Sequence, residues 1–221
     1  MVLANICKDT YAIKKAKLYF FYEKIKLNNY TKNITAVLHM SEESQLKLEK
    51  KQENRKIRQF KSEMRTFLLT SRFNTETRKQ NEIYRTKKWP NGCLYCSPNQ
   101  ISQAIPLESN IIVLEMDNDK NKIFGVGMLV NKPFYNKFSV YEDYNYNRYS
   151  YIGKYRIKRE ELNEKEEAVF KALDILCFTG NEHMKRGHGI KAFPAKMLMN
   201  CKNIIDIPKF IENMFKTKFA K

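Results

Sequence analysis

The chain has 221 residues, of which 43% are hydrophobic and 13% aromatic, and it carries a net charge of +17. That much apolar material builds a real core and excludes wholesale disorder. A pI of about 9.6 points instead to a folded protein with a polyanionic partner. The plainer explanation of the charge is a bias toward Lys and Asn imposed by an AT-rich genome. No stretch approaches the ~20 apolar residues that cross a bilayer, and no apolar signal core precedes a small-residue cleavage site. No membrane association is therefore expected. The cysteines are Cys7, Cys93, Cys96, Cys177 and Cys201. Their odd number and irregular spacing do not describe a disulfide framework. They fit a reducing intracellular setting, cytoplasm or nucleus, or a virion.

Residues 1–64 read as a basic N-terminal extension, partly helical. Met40 opens a stretch that resembles a protein start, so residues 1–39 are expected to be a poorly ordered extension. Residues 41–64 are dense in Glu, Lys, Gln and Arg without Gly or Pro, which predicts a helix. Leu46, Leu48, Ile57 and Phe60 give it only a thin apolar stripe, so most of its surface is solvated.

Residues 65–200 read as a globular domain. Residues 66–70 form a short apolar β-like run, and residues 74–87 a polar helix. Trp89-Pro90-Asn91-Gly92 is a turn, and residues 93–97 a second strand. Residues 110–116 make a strongly apolar strand that returns through a turn at 117–121 into residues 122–131. Gly125 and Gly127 in the returning strand signal a bend or a close backbone approach. Residues 137–141 and 149–157 read as two further strands. Residues 161–178 are the clearest amphipathic helix, with Ala168, Val169, Ala172, Leu173 and Leu176 on one face. The last region, 201–221, places Ile207-Pro208 at a helix start. Its Phe210, Ile211, Met214, Phe215 and Phe219 form an apolar face that packs on the domain.

Chemistry-bearing motifs are few. The chain has no G-x-S-x-G, P-loop or H-E-x-x-H motif, and only three histidines, so no enzyme activity and no cofactor are expected. Cys93 and Cys96 have C-x-x-C spacing, and His183 and His188 lie five apart. These four residues suit zinc, but the long separation of the two halves favours a strand and a loop without metal. Glu115, Asp117 and Asp119 are close in sequence. Their plainer role is to close a hairpin, and their sharper one is metal-dependent phosphodiester cleavage. Lys185-Arg186-Gly187-His188-Gly189 is a basic loop in which glycine lets a phosphate approach the backbone.

The densest signal is Tyr141-Glu142-Asp143-Tyr144-Asn145-Tyr146-Asn147-Arg148-Tyr149-Ser150-Tyr151, with five tyrosines in eleven residues. A tyrosine ring offers a stacking face for a nucleobase. The same alternation also builds a half-buried strand with an aromatic face.

The order of these pieces resembles the YTH domain and its EVE relatives in the PUA-like superfamily. The resemblance runs from Arg65 to Pro194. It rests on Thr66-Phe67-Leu68-Leu69-Thr70-Ser71, the polar helix, Leu94-Tyr95-Cys96-Ser97, and a hairpin containing Phe124-Gly125-Val126-Gly127. It implies an α+β fold: a small mixed PUA-like β-barrel flanked by helices. It also implies an unpaired base, in some members a modified one, held between Tyr95 and one of Tyr144, Tyr146 or Tyr149. The backbone around Cys96 and Ser97 would read the base edge, and Arg72, Lys185 and Arg186 would neutralise phosphates. The departures are that every cage tryptophan is a tyrosine here, and that Thr70 stands where the family has lysine. The Lys/Asn/Ile/Tyr-rich style also resembles proteins of large DNA viruses.

The functional expectation is a nucleic-acid binder, with RNA favoured over DNA. A non-specific packaging protein and a metal-dependent nucleic-acid-processing enzyme are the alternatives.

Overall fold

A computed structural model describes residues 42–135, 138–181 and 183–220. The expected extension at 1–39 lies outside the described residues. The chain divides into two units, residues 1–62 and 63–221. In the first, α1 (Glu42–Glu63) is one helix of 22 residues. Leu46 and Leu48 on it are exposed, as the thin apolar stripe predicts. Lys47, Lys51, Arg55 and Arg58 are all exposed and recur at helical spacing along one side.

The second unit is α+β, as expected, but it comprises two sheets. The larger has strand order β7-β4-β3-β1-β8, with β1 Thr66–Phe73, β3 Asn110–Asp117, β4 Lys122–Val130, β7 Tyr155–Lys158 and β8 Ile190–Ala192. β1 and β3 run parallel, Thr66 opposite Asn110, and the remaining pairs are antiparallel. The smaller sheet is β2 (Cys93–Ser97), β6 (Tyr149–Gly153) and β5 (Phe134–Tyr135), in that order. Helices α2 (Thr75–Lys88), α3 (Glu164–Phe178), α4 (Ala195–Cys201) and α5 (Ile207–Phe219) complete the unit.

β3 is buried along nearly its whole length, because both faces are covered. Ile111 and Val113 point to a core shared with Leu94, Tyr95, Tyr141 and Tyr151 of the smaller sheet and its loops. The alternate residues Ile112, Leu114 and Met116 are equally buried. They point to the side where α3 meets β4 and α5 meets β1. Helix starts follow their sequence signals. Asn74 and Asn163 each close a capping box, and Pro208 follows the Asp206 N-cap of α5.

Two expectations change. The strand predicted at 149–157 is two strands in different sheets, broken at Lys154. The chain crosses there because Gly153 lies against the Met128 carbonyl and the Cys93 sulfur, with no room for a Cβ. No strand forms over 138–141; the pairing segment is the preceding Phe134–Tyr135. The short β8 and α4 had no clear periodicity to announce them.

The two sheets meet at a buried charge. Glu115 Oε1 accepts from Tyr95 Oη at 2.9 Å, and Arg156 donates to both carboxylate oxygens, Nε to Oε1 at 2.8 Å and Nη2 to Oε2 at 2.5 Å. All three side chains are buried. Gly125 and Gly127 on β4 leave the space these groups fill, since a Cβ would overlap Glu115 and Tyr95 respectively. Removing the carboxylate strands a buried guanidinium. Glu115→Ala is therefore expected to cost about 3–5 kcal/mol, and Tyr95→Phe about 1–3 kcal/mol. Urea midpoints of the two variants measure this; equal costs would place the charge pair outside the stabilising core.

Candidate nucleic-acid interface

The tyrosine run divides between core and surface. Tyr141 and Tyr151 are buried. Tyr141 Oη accepts from Asn81 Nδ2 at 3.1 Å, and Tyr151 Oη accepts from the Ile101 amide at 2.9 Å. Burial pushes both phenols above their ordinary range. Tyr144 and Tyr146 sit on a short 3-10 turn, Tyr144–Asn147. Tyr144 is 66% exposed, while Tyr146 and Tyr149 are half-buried.

Asn147 holds this turn. It is buried; its Oδ1 accepts from the amides of Val140 and Tyr141, both at 3.0 Å, and its Nδ2 donates to the Tyr141 carbonyl at 2.7 Å. Sequence reasoning passed over it. Asn147→Ala leaves two amides without a partner and is expected to cost about 2–4 kcal/mol. Hydrogen exchange at Val140 and Tyr141 reads the loss, and unchanged protection there would dismiss this role.

The basic loop comes to the same place. Tyr146 Oη lies 3.0 Å from His188 Nδ1. Arg72 fixes the loop from below, Nε donating to the Met184 carbonyl at 2.5 Å and Nη1 to the Gly189 carbonyl at 3.4 Å. Asn118 Nδ2 adds a bond to the Lys185 carbonyl at 3.1 Å. Gly187 and Gly189 take positive φ, 111° and 66°. Gly189 also packs directly on Ser97 Oγ, where a Cβ would collide. Arg186 and His188 are exposed, and Lys185 is half-buried. Tyr135, which sequence reasoning also missed, is exposed. Its ring meets Tyr149 edge-on at 5.6 Å, and its hydroxyl accepts from Gln100 Nε2 at 3.1 Å. The tyrosine turn and the basic loop therefore share a surface, joined by the Tyr146–His188 contact and by Gly189 packing on Ser97, the strand partner of Tyr149.

Three predicted base-binding residues are not on that surface. Tyr95 is 1% exposed and its hydroxyl is engaged by Glu115, so it has no free ring face. Cys96 is buried with its sulfur 3.3 Å from Ser150 Oγ. Ser97 is buried under Gly189, and its Oγ donates to the Asn99 carbonyl at 2.6 Å. The reason is packing: β2 is buried along its whole length, with α2, β4 and β8 against it, where the resemblance placed an open pocket wall. Arg72, predicted to touch phosphate, instead positions the loop that carries Lys185 and Arg186. Its burial lowers its pKa from the ordinary guanidinium value.

The other motifs resolve as hairpin and core. Asp117 Oδ1 accepts from the amides of Asp119 and Lys120, and Asp119 Oδ2 accepts from Thr75. These carboxylates close the β3–β4 turn and fasten it to α2. Among the described residues, no three of His, Cys, Asp and Glu gather as a metal site. Cys93 faces the Met128 carbonyl and Cys96 faces Ser150, so the pair does not converge. Burial raises the thiols of Cys93, Cys96 and Cys177 to about 12. At pH 8 all three are expected to resist iodoacetamide in the native protein and to react in urea, read by intact mass. Fast native labelling of Cys93 or Cys96 would place them at the surface.

Compared with known proteins, the chain matches no family model, no curated protein and no solved structure.

Proposed function

We propose that the protein binds single-stranded nucleic acid, with RNA favoured over DNA, on the surface formed by the tyrosine turn and the basic loop. The observation that carries this reading is the Tyr146–His188 contact, which joins stacking rings to phosphate-seeking cations. An unpaired base, modified or not, lies against Tyr144 with Tyr146 and Tyr149 beside it, while Lys185 and Arg186 neutralise flanking phosphates. Exposed rings with hydroxyl tips suit unstacked bases and 2′-hydroxyls. On the same reading the two sheets form a PUA-like barrel. The close approach of β6 to β4 at Gly153 and of β2 to β4 at Gly127 supports that arrangement.

Affinity should fall with salt at a slope of about −0.7 per contacted phosphate. Tyr144→Ala is expected to weaken binding about 5- to 150-fold, the loss of one stacked base. Fluorescence anisotropy with matched RNA and DNA strands measures both effects, and includes RNA methylated at one adenine amine. Wild-type affinity in both Tyr144→Ala and Tyr146→Ala would remove the stacking surface.

A second reading has its own observation. The exposed stripe Lys47, Lys51, Arg55 and Arg58 on α1 suits charge-driven coating of nucleic acid without base contact. Reversing those charges abolishes binding on the coating reading, and leaves base preference intact on the first.

A further inference from the structure

A polar cleft between α2 and the β4–β7 edge takes no part in the tyrosine surface. Its volume is about 170 Å³, several times the ~30 Å³ share of one water. A β-bulge shapes it: the register between β3 and β4 shifts after Glu115, pairing Met116 with Ile123. The residue left over is Phe124, which the bulge turns toward the cleft. The Arg78 guanidinium lies over its ring at 4.2 Å while bonding Asp117 Oδ2 at 3.1 Å.

At the floor lies Arg85, 4% exposed. Among the described residues no carboxylate stands at ion-pair distance from it. Its protein bonds run from Nη1 to the carbonyls of Gly92 at 3.3 Å and Pro90 at 3.5 Å, both long for N–H···O. That leaves most of its five donors without a strong protein acceptor, and the unbonded nitrogens are not shut off from solvent, so they stand open to a ligand entering the cleft. Burial and then the neighbouring Arg156 lower its pKa, with Glu115 and Glu82 opposing more weakly. Arg156 also lines the cleft. Its Nε and Nη2 are taken by Glu115, and Nη1 has no partner among the described residues.

We propose that this cleft binds a phosphate-class oxyanion, held between the guanidinium of Arg85 and the free Nη1 edge of Arg156, with Lys158 at the rim. The exposed Glu82 and Glu160 share that rim. They oppose an extended polyanion laid across the mouth and accept hydrogen bonds from hydroxyls beside the anion. A compact phosphate ester or a single protruding phosphate fits these constraints. The inference uses no residue of the tyrosine turn or basic loop and stands apart from the function proposed above.

The test is thermal unfolding and calorimetry of the full chain in sodium phosphate against sodium chloride at equal ionic strength. Phosphate is expected to raise the Tm above the chloride value. Lys158→Glu, an exposed change that leaves the fold intact, should weaken phosphate binding at least about tenfold, and Arg85→Gln should abolish it. Equal Tm values in the two salts for the wild type would overturn the site. So would a phosphate effect unchanged in both variants, which would locate the anion elsewhere. Labelled single-stranded RNA separates the sources. Phosphate that displaces RNA from the wild type but not from Arg85→Gln identifies a nucleic-acid phosphate. Phosphate that binds without displacement identifies a free phosphate ester.

Discussion

Everything in the second unit is arranged around one buried carboxylate. Glu115 stands in the middle of the most apolar strand, between residues that are fully buried, where an unpaired charge would not be tolerated. Its two oxygens are met by Arg156 from the larger sheet and Tyr95 from the smaller one. The arrangement demands that β4, lying between these groups, offer no side chains, and Gly125 and Gly127 meet that demand. Arg156 in turn has its pKa raised by Glu115 against the effect of burial, so its guanidinium remains charged. The two sheets are thus brought together by a directional contact as well as by apolar packing, which fixes the relation of β2 to β4.

The same constraint explains which tyrosines are available for function. Because Tyr95 is committed to Glu115, β2 belongs to the core. The tyrosine run reaches the surface where Asn147 folds the segment after Tyr141 into a turn. Tyr141 and Tyr151 anchor the two ends of that segment, and Tyr144, Tyr146 and Tyr149 are displayed between them. Asn81 on α2 ties the arrangement back to β2, since its Nδ2 reaches both the Leu94 carbonyl and Tyr141 Oη.

The fold was legible where a pattern is local and strong. The β3–β4 hairpin, the capped helices α2 and α3, and the Pro-initiated α5 all carry their signals within a few residues. The break at Lys154 was not legible, because it is caused by Met128 and Cys93, distant in sequence. Nor were β8 and α4, which are short and depend on β1 and the core for partners. Of the candidate site, the tyrosine turn and the Lys185-Arg186 loop were legible from composition, and the structure brings them together. The misplacement of Tyr95 has a specific cause. A Leu-Tyr-Cys-Ser run has the same appearance whether its aromatic lines a pocket or caps a buried glutamate, and only Glu115, twenty residues away, distinguishes the two.

Arginine and lysine are used differently here, and the difference bears on how a polyanion would be read. Arg72, Arg85 and Arg159 face inward and bond backbone carbonyls, with Arg159 also pairing with Glu167 and Asp174. Arg156 is engaged by Glu115. A planar fork with five donors can satisfy several acceptors at once, which an ammonium cannot. Much of the surface charge is consequently lysine, a hydrated point charge that attracts phosphate without bidentate geometry. Such a surface supplies affinity that is tolerant of sequence. On the proposed readings, discrimination between bases would then fall to the rings that Asn147 holds in place, and recognition of a single phosphate to the cleft where Arg85 and Arg156 keep donors without a protein acceptor.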